Sequence, residues 1–160
     1  VSEHVELPDA EDTRALGRRL GAVLRAGDLV VLTGDLGAGK TTLTQGLGEG
    51  LGVRGPVTSP TFVIARVHPS TTGGPELVHV DAYRLADGAE LDDLDLDASL
   101  EESVTVVEWG EGLAEVLTQD RLEVLLHRSG SEAAQDQSRR AVLRGHGPRW
   151  AGGVLEGEDR

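Results

Sequence analysis

A chain of 160 residues that carries fourteen arginines has one lysine, Lys40, and places it inside GDLGAGKTT, Gly34 to Thr42. Residues 34–41 fit GxxxxGK(S/T), a spacing suited to holding a nucleoside triphosphate. Gly37 and Gly39, with Ala38 between them, allow successive backbone N–H groups to converge on phosphate oxygens, and a helix starting just after them adds positive potential. Lys40 then serves as a compact ammonium on the terminal phosphates, where a planar guanidinium replaces it poorly. Thr41 offers a hydroxyl to magnesium.

Two carboxylates could complete that chemistry. Leu77-Val78-His79-Val80 runs into Asp81, and Val104-Thr105-Val106-Val107 runs into Glu108. An acid at the end of a neighbouring strand can hold magnesium, directly or through water, or orient the attacking water. Strand ends also carry acids simply because they lie at the surface, and from these residues alone either acid could take either role. A third feature is Thr58-Ser59-Pro60-Thr61-Phe62, whose proline-fixed hydroxyls suit a loop that senses a γ-phosphate. The same residues equally suit a proline turn entering a strand. Phe62, Tyr83 and Trp109 lie in or beside these segments, and core packing alone accounts for aromatics there.

The elements that must position these groups are readable in outline. Leu29 to Thr33 is an apolar run of strand length directly before the glycine loop, and Thr42 to Leu47 continues as a helix that ends near Gly50 and Gly52. Leu16, Leu20, Val23 and Leu24 predict a helix over Glu11 to Ala26, with Gly27 beyond. Phe62 to Val67 and Leu77 to Val80 predict a hairpin across a turn-rich connection, and Arg121 to Leu126 with Arg140 to Leu143 a second antiparallel pair around the polar loop 129–138. Ala86 to Leu100 is acidic, with Asp87, Glu90, Asp92, Asp93, Asp95 and Asp97 read as a solvated face or a surface for a basic partner. One domain over residues 1–144 and a loose tail over 145–160 are expected.

Composition narrows the use of the nucleotide. A formal charge of -13 with 38% hydrophobic residues describes an acidic globular chain that phosphate backbones would repel, so a protein partner is expected and direct nucleic-acid binding is not. Cysteine is absent, which rules out disulfide and thiolate-metal schemes. With no signal-peptide pattern and no apolar run of bilayer length, no membrane role and a cytoplasmic location are expected. Asparagine is absent too, so the NKxD guanine-reading motif cannot occur.

Taken in order and spacing, GDLGAGKTT, Ser59 to Phe62 (SPTF), His79 to Leu85 (HVDAYRL) and Val107-Glu108-Trp109 closely resemble the TsaE (YjeE) family, the ATPases of bacterial tRNA threonylcarbamoyladenosine biosynthesis. The resemblance spans roughly Val5 to Arg140. It implies an α/β fold like that of P-loop NTPases: a three-layer sandwich whose central, mostly parallel sheet includes antiparallel strands and is flanked by helices. It also implies ATP and Mg2+ as cofactors, and action with the TsaB and TsaD proteins, which would hold the tRNA. ATP binding would favour assembly with that pair and hydrolysis would reset it.

Carried over by position, the resemblance makes Gly37, Ala38, Gly39, Lys40, Thr41 and Thr42 the phosphate cradle and gives the metal to Thr41 and Glu108. Asp81 becomes the acid needed for hydrolysis, Ser59, Pro60, Thr61 and Phe62 a switch-like loop, and Trp109 an aromatic near the nucleotide. Segments before Thr13 and around Arg139 and Arg140 correspond to regions that help close the base and phosphate site. No arginine finger stands in the matched motifs, so hydrolysis is expected to be slow without partners; Arg84, the nearest candidate, also suits an ion pair with a neighbouring acid. The alternatives are a small-molecule kinase, for which no acceptor pocket or arginine-bearing lid is evident, and a nucleotide-dependent binding module without turnover.

Overall fold

Leu29-Val30-Val31-Leu32 is buried along its whole length, as a strand covered on both faces must be. It becomes the middle of a seven-stranded sheet in the computed structural model, which describes residues 2–34, 39–53, 65–81, 101–108, 120–128 and 139–154. The elements are β1 (Ser2–Leu7), α1 (Ala10–Val23), β2 (Leu29–Gly34), α2 (Lys40–Leu51), β3 (Ala65–His68), β4 (Glu76–Asp81), β5 (Ser103–Glu108), β6 (Arg121–Arg128), β7 (Arg139–His146) and a 3-10 turn at Pro148–Trp150. The strand order is β1-β7-β6-β2-β5-β4-β3. β6, β2, β5 and β4 run parallel, and antiparallel strands close both flanks. The expected α/β architecture, a central sheet with antiparallel members flanked by helices, is therefore present. Both expected hairpin-like pairs form, Ala65 against Val80 and Arg128 against Arg139 among their partners.

The two helices touch more closely than ordinary side chains permit. A Cβ added at Gly17 or Gly21 of α1 would strike the carbonyl oxygen of Leu43 or Leu47, and one added at Gly46 or Gly50 of α2 would strike that of Arg14 or Arg18. Four glycines thus let the helix before β2 lie backbone to backbone on the helix after it. Leu16, Leu20, Leu43 and Leu47 turn into the core. At the solvent rim Glu49 binds Arg14 and Arg18, and Arg18 also reaches Glu11.

α1 ends at Val23, three residues before the expected Ala26, because the turn that follows is held from far away. The Asp28 carboxylate accepts from the Arg25 N–H at 2.8 Å and from the Arg149 guanidinium at 3.0 Å on each oxygen. Arg149 also donates to the Val23 carbonyl at 2.8 Å, supplying the cation that the last turn of α1 lacks.

That contact corrects the expected tail. Residues 145–154 are docked: Trp150 is 1% exposed within the core, the Arg149 guanidinium lies 4.1 Å from its ring centroid, and the Val154 N–H donates to Glu3 at 2.6 Å. The motif-poor sequence Gly145 to Val154 hides this because its hold rests on one aromatic and one arginine rather than on a periodic pattern. No described helix is long and apolar enough to cross a membrane.

Candidate functional site

α2 begins at Lys40, and the residue before it, Gly39, has φ 99 and ψ 17. A side chain is strained in that left-handed conformation, so glycine is required where the chain turns from loop to helix. The first intrahelical bond runs from the Leu43 N–H to the Gly39 carbonyl at 2.9 Å. The N–H groups of Lys40, Thr41 and Thr42 precede it and have no intrahelical acceptor. No side chain caps this end among the described residues, and no acid stands in its first turn. An anion meets aligned donors and the positive end of the helix dipole here.

Lys40 donates its ammonium to the carbonyl of Gly34, the last residue of β2. The side chain thereby reaches back to the end of the strand before it. Thr44 anchors the same turn, its hydroxyl donating to the Lys40 carbonyl at 2.8 Å. Thr41 is exposed and Thr42 partly so, leaving the Thr41 hydroxyl open to a ligand from solvent. Gly37 and Ala38, also assigned to the cradle, lie outside the described residues.

The carboxylates arrive by sheet register. β2, β5 and β4 are consecutive parallel strands, so their C-terminal ends share one edge of the sheet with the start of α2. Glu108 is the partner of Leu32 on one side and of Asp81 on the other. With neighbouring strands about 4.8 Å apart, the two acidic positions lie one and two strand spacings from β2. Glu108 is 5% exposed. A carboxylate so far from water gains from any cation that reaches it. The donors are a hydroxyl and a carboxylate, hard oxygens of the kind magnesium takes alongside phosphate and water, so the residues present fit that ion.

The sequence reading passed over one member of this edge. His79, on β4, is 1% exposed, and its Nε2 lies 3.1 Å from Glu108 Oε2. Neither ring nitrogen makes an aligned hydrogen bond among the described residues. The available signal was a histidine in the otherwise apolar run Leu77 to Val80, since a buried imidazole calls for a polar neighbour. Asp81 ends β4 at its expected place; its side chain, together with Ser59, Pro60, Thr61, Phe62, Arg84, the acidic stretch from Ala86 and Trp109, lies outside the described residues. Of the segments expected to help close the base site, α1 starts behind a capping box between Asp9 and Asp12, and Arg139 and Arg140 open β7.

Comparison with known proteins gives the same frame. The family model described as "Threonylcarbamoyl adenosine biosynthesis protein TsaE" matches residues 7–140. A tRNA threonylcarbamoyladenosine biosynthesis protein TsaE of Streptomyces coelicolor is 66% identical over 139 residues, covering 86% of this chain and 93% of that one. Its namesake from Bacillus subtilis is 42% identical over 123 residues, 76% of this chain and 75% of that one. The crystal structure of YdiB from Bacillus subtilis superposes with a TM-score of 0.78 at 30% identity, covering 100% of this chain and 97% of that chain.

Proposed function

The chain belongs to the TsaE family of threonylcarbamoyl adenosine biosynthesis proteins, and from that premise we propose that it is the Mg2+-dependent ATPase of tRNA N6-threonylcarbamoyladenosine formation, acting in the cytoplasm with TsaB and TsaD. ATP binding favours assembly with that pair, and hydrolysis resets the complex for another round. The observation that best supports this reading is the coincidence, on one sheet edge, of an uncapped helix start carrying Lys40 with the buried Glu108.

The chain's own groups divide the work. Gly39 and the N–H groups of the first turn of α2 bind and orient the phosphates. Lys40 exchanges the Gly34 carbonyl for β- and γ-phosphate oxygens, so that its ammonium meets an anionic acceptor in place of a neutral one. Thr41 and Glu108 hold magnesium, which when bound supplies neutralisation of charge on the β- and γ-phosphates. Asp81 orients the attacking water. The tRNA stays with the partners, in keeping with a surface of net charge -13.

The test is ATP hydrolysis with and without purified TsaB and TsaD. Slow turnover alone and faster turnover with the pair are expected; equal rates would remove the partner dependence. Asp81→Ala should reduce hydrolysis by about 10²-fold or more while ATP affinity is largely kept. Background-level turnover already in the parent, equal to that of Asp81→Ala and with partner binding still responsive to ATP, would instead support a binding module. ADP release that required an added acceptor would support a kinase.

A further inference from the structure

Glu108 reaches the site edge with one side-chain partner among the described residues, and that partner is neither a backbone amide nor an arginine but His79. We propose that His79 is a positioning residue: its imidazole edge fixes the rotamer of the Glu108 carboxylate so that one oxygen is held back and the other is presented to the metal that accompanies the nucleotide. The inference rests on the assignment of Glu108 as a metal-holding residue.

Three observations carry it. Both groups are buried, with side-chain exposures of 1% and 7%, so water does not hold the carboxylate in place. The contact is specific in register. His79 is the partner of Val106, two positions before Glu108 on β5, so His79 and Glu108 are diagonal neighbours on the same face of the sheet. The His79 Nε2 meets only Oε2, leaving Oε1 without a side-chain partner among the described residues. A histidine retained for packing would be replaceable by an apolar side chain at no cost to metal binding, whereas one that orients a ligand sets how well that ligand binds.

The contact at 3.1 Å is not an aligned hydrogen bond. Nε2 still lies against Oε2, so the ring limits where the buried carboxylate can swing, and its loss shows in binding that uses the metal.

The experiment measures ATP affinity by calorimetry in EDTA and in saturating Mg2+ for the parent, His79→Ala, His79→Gln, His79→Asn and Glu108→Gln. Binding in EDTA should be alike in the parent and the three His79 variants. The gain in affinity on adding Mg2+ should fall by about 10- to 100-fold in His79→Ala, and by a similar factor in Glu108→Gln. His79→Gln, whose amide nitrogen overlays Nε2, should recover most of it, and His79→Asn, whose nitrogen overlays Nδ1, should not. Adding His79→Ala to Glu108→Gln should cost nothing more, since the two act as a unit. A full Mg2+ gain in His79→Ala with a lost gain in Glu108→Gln overturns the role of His79 and leaves the metal assignment standing. A full gain in Glu108→Gln overturns the metal assignment itself, and the inference with it. Should His79→Ala fail to fold, equal Mg2+ gains in the Gln and Asn variants overturn the proposal, and a gap between them supports it.

Discussion

The N-termini of α1 and α2 are solved in opposite ways. At α1 the chain supplies its own anions: the Asp9 carboxylate accepts from the Asp12 N–H at 3.0 Å, Asp12 accepts from the Asp9 N–H at 3.2 Å, and Glu11 adds charge to the first turn. At α2 the described residues include no capping side chain, and the first turn holds no acid; a left-handed glycine leads straight to Lys40. The helices lie against each other through the same four glycines and share one core, so packing does not explain the difference. A helix start without an internal anion keeps its donors for an external one, and the neighbouring lysine fixes the charge of that ligand as negative. α1 is closed by its own acids, and on the proposed reading the start of α2 is where the phosphates bind.

Breaking the shared frame should have the largest effect. Gly46→Val drives side-chain atoms into the Arg14 backbone, and chemical denaturation should show a loss of about 3 kcal/mol; an unchanged midpoint would mean that the helices can separate without cost. Lys40→Ala should cost about 2 kcal/mol or more of ATP affinity, some 30-fold or more by calorimetry, with little change in melting temperature. Asp9→Ala should do the reverse, lowering stability by about 1 kcal/mol while ATP affinity stays near the parent's. If Asp9→Ala weakened ATP binding as strongly as Lys40→Ala, the two helix ends would not be functionally distinct.

The smallest effect concerns the rim that ties the helices together. The hydrogen bond from Arg14 holds the Glu49 carboxyl below its ordinary range, opposed by burial and reinforced by the hydrogen bond from Arg18 and the charge of both arginines. A depressed carboxylate contributes stability above its unfolded value and loses it as pH falls through the folded one. Glu49→Gln should therefore melt slightly below the parent near neutrality, with the gap closing as the solution is acidified. Exposed, screened ion pairs of this kind are weak. A gap that widened in acid would contradict the assignment.

How much of this could be read from the sequence depends on whether a residue's job is local. The strand, glycine loop and helix at Leu29 to Leu51 are dictated by short-range chemistry: burial on both faces, a left-handed turn, a single ammonium. Both strand ends with acids were legible for the same reason, and the register brings Asp81 and Glu108 side by side. The misses are all long-range. α1 stops early because Asp28 is engaged by Arg149, 121 residues away. Trp150 is buried through a three-residue turn with no periodicity to announce it. His79 stood inside a quoted motif, yet its contact with Glu108 exists only once β4 and β5 are paired.

The most direct test of the account is a crystal structure with a non-hydrolysable ATP analogue and Mg2+. It should place the β- and γ-phosphates at the start of α2, with the Lys40 ammonium moved from the Gly34 carbonyl onto them and Glu108 facing the metal. An analogue seated away from α2, with Lys40 still on Gly34, would contradict it.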